Sequence, residues 1–271
     1  MKLVTWNINS VKAREERLLD WLDAHDPDVL CLQELKVVDE AFPREACEER
    51  GYHCTVFGQK TYNGVAILSK AEPSDVHRGL EDDVEDDQSR LVSAEVEGVH
   101  VLSAYFPNGG RLGSDKYAYK LAWMERLREY LARRFDPAKD RVVLAGDYNV
   151  AYPKDVAEPE EYEGTVLCND EVRAAIAAFR EWGMSDLFEP FHPKGGVYSW
   201  WDYRARGFER NAGLRIDHVY GTTPLAGRVI GAAVDRAERV PNGMGTAEEK
   251  KKQGKKVGPS DHAPVLVELD L

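Results

Sequence analysis

Short apolar runs rich in β-branched residues recur along this chain, and several of them end at a polar side chain. The run Lys2–Asn7 ends at an amide, the run Val29–Gln33 is followed by Glu34, and a run at 141–146 is followed by Asp147. Runs of this length are too short for helices and predict strands, the first of them a central one. A folded sheet can gather polar groups placed at strand ends, so the pattern constrains both the fold and the position of a site.

Helices are predicted at only a few places. The clearest prediction covers 116–135, where apolar residues recur every three or four positions and form one stripe. Asn169 is predicted to cap a helix that runs through Arg180, and Ser10 to cap a helical segment after the first strand. A shorter helix is predicted at 43–50.

Further extended runs follow one another with few helices between them. This order predicts an α/β fold in which two packed β-sheets are flanked by helices, rather than a doubly wound sheet. The segments 151–168 and 235–258 receive no assignment. Chains of up to about 250–300 residues often form one domain, so we expect a single domain over 1–271. The further strands are predicted at 52–57, Val65–Ser69, Leu91–Val96, 100–105, 215–220 and 264–269.

The formal net charge is −12. This argues against a protein that binds nucleic acid through bulk charge, because counterion release needs clustered lysine and arginine; a local basic face remains compatible with it. The acidic run at 81–87 is interpreted as a solvated loop. The lysine-rich run at 250–256 is interpreted either as a solvated loop or as a contact for nucleic-acid phosphates, since it closely precedes Asp261 and His262.

The four cysteines show no zinc-binding spacing, and the sequence contains neither a signal-peptide pattern nor a long apolar stretch. A membrane-spanning helix needs about 18 or more consecutive apolar residues. We therefore expect a reduced cytoplasmic protein that does not contact a membrane.

Glu34 is a candidate ligand for a hard divalent cation. Magnesium prefers oxygen ligands and keeps several waters, so one or two carboxylates and a substrate phosphate are enough to hold it. Asn7, Asn9 and Lys36 also stand at strand ends. A single glutamate at a strand end is equally typical of a solvent-facing residue.

Asp147 and Asn149 flank one tyrosine, so in an extended segment their side chains would point the same way. A carboxylate can orient and deprotonate a water, while an amide donates to oxygen on phosphorus. The alternative interpretation is an ordinary Asn/Asp turn after a glycine.

His262 follows Asp261 directly, and neighbouring side chains in an extended chain point apart. The carboxylate that orients this imidazole is therefore expected elsewhere, and Asp217, at the end of 214–216, is the candidate. This arrangement leaves Asp261 free to face a metal or a water. A lone histidine is otherwise commonly structural.

Eight strings occur in order along nearly the whole chain: WNIN, LQELK, NGVAIL, YFPNGG, GDYN, SWWDYRARGF, GLRID and PSDHAP. Together they resemble the exonuclease III family of abasic-site endonucleases, within the DNase I-like endonuclease/exonuclease/phosphatase superfamily. The resemblance implies a four-layer α/β sandwich and a magnesium-dependent phosphodiesterase, with manganese as a plausible substitute. Where some relatives carry aspartate this chain has Asn9, which leaves a second metal ligand there open.

The resemblance also implies roles for the site residues. Glu34 would bind the metal with Asn7 beside it, and Asp261 would assist the metal or the water. The remaining positions would form the catalytic group: Asp147 would prepare the water, Asn149 and Tyr105 would contact the phosphate, and His262 would be held by Asp217.

The flanking segments must select the substrate, because the superfamily also acts on lipid phosphates, inositol phosphates and RNA. The stretch 198–208 mixes aromatic residues with arginines, which suits stacking on nucleotides and contact with phosphates. The resemblance implies that Trp200, with Leu214 and Ile216, lines a pocket for an extruded baseless sugar.

Arg111 and Arg204 are further candidate DNA contacts. Arg111 matches a position that enters the duplex groove in some relatives, although it could equally contact a phosphate from a loop.

The predicted activity is cleavage 5′ to abasic sites in double-stranded DNA, with 3′-to-5′ exonuclease and 3′-phosphatase activity on blocked 3′ ends, by a monomer. Two alternatives remain open. One is a phosphodiesterase of the same fold that acts mainly as an exonuclease, or on RNA, inositol or lipid phosphates. The other is a non-catalytic DNA-binding module.

Overall fold

The computed structural model describes residues 1–240 and 258–271. Within these residues the strands form two six-stranded sheets. The strands are β1 (Lys2–Asn7), β2 (Val29–Gln33), β3 (His53–Phe57), β4 (Val65–Ser69), β5 (Ser74–Arg78), β6 (Leu91–Val96), β7 (Val99–Tyr105), β8 (Val142–Asp147), β9 (Met184–Asp186), β10 (Asp217–Thr222), β11 (Val229–Val234) and β12 (Val265–Leu269).

The first sheet has the strand order β11-β12-β1-β2-β4-β3, and the second has the order β5-β6-β7-β8-β10-β9. Each sheet contains a parallel pair near its centre, β1 with β2 and β7 with β8. The remaining neighbours are antiparallel. The strand predicted to be central, β1, lies inside the first sheet.

The helices are α1 (Glu15–His25), α2 (Arg44–Glu48), α3 (Asp115–Arg134), α4 (Pro159–Tyr162), α5 (Asp170–Trp182), α6 (Gly207–Arg210) and α7 (Thr223–Ala226). Of these, α1 and α2 pack on the outer face of the first sheet, and α3 and α5 on that of the second. Short 3-10 turns lie at Asp39–Ala41, Pro153–Asp155, Glu189–Phe191, Arg204–Arg206 and Arg236–Arg239.

Three apolar clusters separate these layers. Aliphatic residues of both sheets, such as Val29 and Val143, fill the space between the sheets. Trp21 of α1 belongs to the cluster outside the first sheet, and Leu127 of α3 to the cluster outside the second. The predicted four-layer α/β sandwich is confirmed.

Two predicted helix caps have opposite outcomes. The Asn169 side chain accepts from the backbone N–H groups of Glu171 and Val172 at the start of α5, as predicted. The predicted cap at Ser10 is wrong, because α1 begins only at Glu15 and its capping position is Arg14, whose side chain makes no capping bond.

Strands β5, β9 and β11 were not predicted. Their sequences lack the apolar alternation of a half-buried strand, and most residues of β5 are exposed. The acidic run at 81–87 is more than a solvated loop, because Arg126 on α3 binds Asp82 and Asp86 at 2.8 Å and 2.9 Å. The lysine run at 250–256 lies outside the described residues.

The strand registers bring the polar strand ends together. Tyr105 pairs with Asp147 across β7 and β8, and Asp147 pairs with Asp217 across β8 and β10. Residues in register on neighbouring strands share one face of a sheet. Here that face is the inner one, so all three side chains point toward the first sheet.

Among the helices of the described residues, none combines the length and the hydrophobicity that crossing a membrane requires.

Candidate active site

Asn7 joins the two sheets at one end of the sandwich. Its Nδ2 atom donates to Glu34 Oε1 and to Asp147 Oδ2, both at 2.9 Å. Asn7 ends β1 in the first sheet and Asp147 ends β8 in the second, so this buried amide holds two carboxylates from opposite sheets close together. The two N–H groups of the Asn7 amide thus fix the positions of both carboxylates.

His262 lies between two aspartates, and its predicted pairing with Asp217 is present. The His262 Nδ1 atom is 2.8 Å from Asp217 Oδ2, and Nε2 is 3.8 Å from Asp147 Oδ2. Burial lowers the pKa of the imidazole, but the charges of Asp217 and Asp147 outweigh this and raise the pKa to about 10. His262 is therefore an imidazolium at neutral pH.

Asp147 is buried, and its carboxyl group titrates near neutral pH. Burial raises its pKa to about 7, against the opposing charge of His262. The Asn149 N–H donates to Asp147 Oδ1 at 2.9 Å, and Asn149 has a φ of 50°. The expectation of two parallel side chains in an extended segment is thus wrong: a left-handed turn brings the amide beside the carboxylate, with Nδ2 3.3 Å from Asp147 Oδ2.

Glu34 follows β2 in a left-handed conformation with a φ of 53°. Residues other than glycine adopt this region at an energetic cost, and such residues cluster at functional sites. Lys36 Nζ lies 2.8 Å from Glu34 Oε2. Burial tends to raise the pKa of Glu34, but the charge of Lys36 and the hydrogen bond from Asn7 lower it below its ordinary value.

Tyr105 faces these carboxylates as a neutral hydroxyl. Burial raises the pKa of Tyr105 well above its ordinary value, and the charges of Glu34 and Asp147 raise it further. The Arg90 guanidinium lies over the Tyr105 ring, 4.9 Å from its centroid.

Asp261 links the site to the predicted substrate segment. Its Oδ1 atom accepts from Asn9 Nδ2 at 2.8 Å, and Oδ2 accepts from Trp200 Nε1 at 3.0 Å. Burial tends to raise the pKa of Asp261, but the charge of His262 and these hydrogen bonds hold it below its ordinary value.

The donor set fits a divalent cation. The carboxyl groups of Glu34, Asp147, Asp217 and Asp261 outnumber the basic groups Lys36 and His262 in the site. Ligand atoms of Asp147, Asp217 and His262 lie within 4.8 Å of one another. A protonated His262 whose Nδ1 binds Asp217 is a poor ligand, so carboxylate oxygens in this site suit a hard cation better than the imidazole does.

The predicted substrate residues have different surroundings. Arg111 and Arg204 are exposed, and Arg204, in the 3-10 turn Arg204–Arg206, pairs with Asp202 at 2.6 Å. Leu214 and Ile216, however, are 0% and 2% exposed and belong to an apolar cluster beneath Trp200. The expected pocket is therefore not open at these two residues in this structure.

Tyr162 packs over this cluster, and no motif in its part of the chain marks it as a site residue. Its ring meets the Trp200 ring edge-on, with centroids 6.2 Å apart. It lies in α4, within the segment that received no assignment from the sequence, so its packing against Trp200 depends on the tertiary fold.

Two further buried groups were missed. Ser199 Oγ donates to Asp217 Oδ2 at 2.6 Å, and so fixes the carboxylate that binds His262. Arg215 forms buried ion pairs with Asp155 and Asp186, each at 2.8 Å, and anchors the chain just before Asp217. Ser199 lies in the string SWWDYRARGF and Arg215 in the string GLRID. Apart from these positions, neither residue type by itself indicates a role in such a site.

Comparisons with known proteins place the chain in a known family. Residues 4–262 match the Endonuclease/Exonuclease/phosphatase family. The chain is 35% identical to exodeoxyribonuclease III of Haemophilus influenzae over 99% of this chain and 100% of that protein. An AP endonuclease from Archaeoglobus fulgidus superposes with a TM-score of 0.91 at 36% identity, and the 3′ phosphatase NExo from Neisseria, bound to a product DNA hairpin, with 0.90 at 37%; coverage is complete for both chains in each case.

The fold and the site define a hydrolytic nuclease that acts on DNA. The chain belongs to the endonuclease/exonuclease/phosphatase family, which is metal-dependent, and the resemblance to exonuclease III drawn from its sequence is confirmed. It is accordingly a nuclease of DNA repair.

Proposed function

We propose that this nuclease hydrolyses DNA phosphodiesters by attack of a water that Asp147 orients and deprotonates. The observation that carries the proposal is the hydrogen-bonded chain from Glu34 through Asn7 to Asp147, with His262 3.8 Å away. A buried carboxylate with a pKa of about 7 suits a general base at neutral pH.

Three hydrogen-bond donors would stabilise charge on the phosphate. His262, held as an imidazolium by Asp217, supplies the strongest, and the neutral Tyr105 hydroxyl supplies a second. Asn149 supplies the third: its Nδ2 atom also donates to Phe106 O at 3.0 Å, so its longer 3.3 Å contact to Asp147 is the one a phosphate would replace.

We assign the cation as Mg²⁺, with Mn²⁺ as a substitute. Glu34 would hold it, with Asp261 assisting and Asn7 positioning the glutamate. When bound, the cation neutralises charge on the phosphoryl oxygens.

Double-stranded DNA containing abasic sites or blocked 3′ ends is the proposed substrate. Arg111, Tyr203, Arg204 and Arg206 are exposed and are the proposed DNA contacts, despite the net charge of −12. Trp200 would form one wall of the sugar pocket. Leu214 and Ile216 would line its floor only after Tyr162 moves, because these two residues are buried in this structure.

The closed cluster favours 3′-end processing as a second candidate for the main activity. A terminal phosphate or nucleotide reaches Asp147 without entering the cluster under Trp200, whereas an extruded abasic sugar must displace Tyr162. The two solved relatives, an AP endonuclease and a 3′ phosphatase, are almost equally similar to this chain, so similarity does not choose between them.

Paired duplex substrates test the proposal. One duplex carries a single internal abasic site, and the other, of the same sequence, carries a 3′ phosphate; each is incubated with Mg²⁺ and with a chelator. We expect Mg²⁺-dependent hydrolysis of both, with faster turnover of the 3′ phosphate. Inactivity on both DNA substrates together with cleavage of RNA or an inositol phosphate would overturn it.

We also propose that residues 1–271 form one domain that acts as a monomer in the cytoplasm. Support comes from the apolar core shared by the two sheets and from the match along the whole length of the Haemophilus influenzae relative. Light scattering on the purified chain tests the monomer.

A further inference from the structure

Lys120 places a buried ammonium group behind the proposed phosphate contacts. It lies on α3 and is 0% exposed. Its Nζ atom donates to Asn149 O and Val166 O, both at 2.7 Å, and to Asn108 O at 3.3 Å. All three acceptors are main-chain carbonyls.

The burial of this ammonium is costly. Moving an ammonium out of water costs several kcal/mol, and uncharged carbonyls offset less of that cost than a carboxylate does. Burial lowers the pKa of Lys120 to about 7, although the charge of Asp147 opposes the shift. An apolar side chain would avoid this cost but would leave the carbonyls of Asn108, Asn149 and Val166 without their lysine donor, so the ammonium determines how these three segments are held.

The three carbonyls belong to three separate segments around the site. Asn108 lies between β7 and α3, Asn149 follows β8, and Val166 lies between α4 and α5. Asn108 Nδ2 also donates to Asn149 Oδ1 at 3.0 Å. Lys120 therefore holds both the main chain of Asn149, in its left-handed conformation, and the residue that orients the Asn149 amide.

We infer that Lys120 is a positioning residue for the reaction: it fixes Asn149 so that the Asn149 amide faces the scissile phosphate. This inference rests on the proposed role of Asn149. Lys120 itself does not touch the substrate, because its ammonium is enclosed by the three carbonyls.

A double-mutant cycle between Lys120→Met and Asn149→Ala tests the inference on the better of the two DNA substrates. Lys120→Met keeps the length of the side chain and removes the ammonium. We expect kcat to fall about tenfold to hundredfold with KM nearly unchanged, since small misplacements of a catalytic group have effects of this size. In the Asn149→Ala background Lys120→Met should cause little further loss, because the group that it positions is gone.

Leu127→Ala is the matched control, since Leu127 lies on the same helix in the same core cluster. It should lower the unfolding temperature and leave kcat near that of the parent. Lys120→Gln, which keeps one N–H donor group, is measured in parallel, so that a folded variant is available if Lys120→Met does not fold. Its kcat should fall less than that of Lys120→Met. It should also cause little further loss in the Asn149→Ala background.

Two results would overturn the inference: a loss of kcat no larger than that of Leu127→Ala, or losses that multiply independently with Asn149→Ala. Asn149→Ala alone separates this outcome from failure of the proposed function. If that single variant keeps full activity, the role of Asn149 fails; if it loses activity and the Lys120 variants do not, only the inference fails.

Discussion

The Nδ1 atom of His262 lies 2.8 Å from Oδ2 of Asp217, an atom that also accepts from Ser199 Oγ at 2.6 Å. The negative charge of Asp217 is thus shared between an imidazole and a hydroxyl in a site that excludes water. Since this charge keeps His262 protonated, the state of the imidazole can be tested through its partner.

Asp217→Asn should move the alkaline limb of the pH–rate profile to lower pH. The pKa of His262 is raised to about 10, and removal of the carboxylate charge lowers it, so the imidazolium is lost at a lower pH. The quantity to measure is kcat/KM against pH, which reports groups of the free enzyme. Ser199→Ala is the control, because it removes a hydrogen bond to Asp217 but no charge; an unmoved limb in Asp217→Asn contradicts the assignment.

Asp147→Asn should keep DNA binding and lower turnover by orders of magnitude, since it removes the carboxylate expected to prepare the water. In the parent protein kcat/KM should fall as the pH is lowered through about 7, because protonation of Asp147 removes the base. Single-turnover kinetics and a binding titration check the two parts. Near-normal cleavage by the variant is incompatible with the role of Asp147.

Trp200→Ala should reduce cleavage at an abasic site more than removal of a 3′ phosphate, because only the first reaction needs the pocket wall. The Trp200 Nε1 contact to Asp261 adds a loss common to both substrates. Trp200→Phe isolates this common loss, since it keeps a ring and removes the N–H group. Equal ratios of the two activities in Trp200→Ala and the parent would argue against a discriminating pocket.

Tyr162→Ala should raise abasic cleavage relative to 3′-phosphate removal. The substitution uncovers the apolar cluster beneath Trp200, which an extruded sugar must enter. The ratio of kcat/KM for the two duplexes is the measurement. A lower ratio would mean that the tyrosine forms part of the pocket instead of closing it.

Asp186→Asn should destabilise the fold, by less than the roughly 3–5 kcal/mol that an unpaired buried charge costs, because the buried Arg215 keeps Asp155 as a second carboxylate partner. Burial tends to raise the pKa of Asp186, but the charge of Arg215 lowers it below its ordinary value. Its contribution is therefore present above the unfolded pKa and is lost as the pH falls through the lower folded value. Urea unfolding at neutral and acidic pH measures both effects; Glu125→Gln, in an exposed pair with Arg128, is the control and should change little.

The sequence predicts the strands of the site well because their apolar runs are short and end at polar residues. The geometry at those strand ends is harder to predict from the sequence. The left-handed turns at Glu34 and Asn149 depend on hydrogen bonds to residues distant in sequence, and only the fold brings Asn7 to Asp147. The pairing of His262 with Asp217 was predictable, since adjacent side chains on a strand diverge.

Which side chains are buried was harder to predict than which polar residues meet in the site. Leu214 and Ile216 were expected to face a substrate, but an apolar residue next to a site packs inward when another side chain covers it, as Tyr162 does here. Lys120 lies beside the predicted apolar stripe of α3, where a lysine normally indicates a solvent-facing position; its burial follows from carbonyls contributed by three separate segments.

The register of β7, β8 and β10 limits how the length of this chain can vary. One residue inserted into or deleted from β8 would rotate Asp147 away from the first sheet and toward α3, since successive side chains alternate between the faces of a strand. The apolar pattern would shift with it. Strands that lead to the site can therefore change in composition but not in residue count, and tolerated insertions belong in the loops at their other ends.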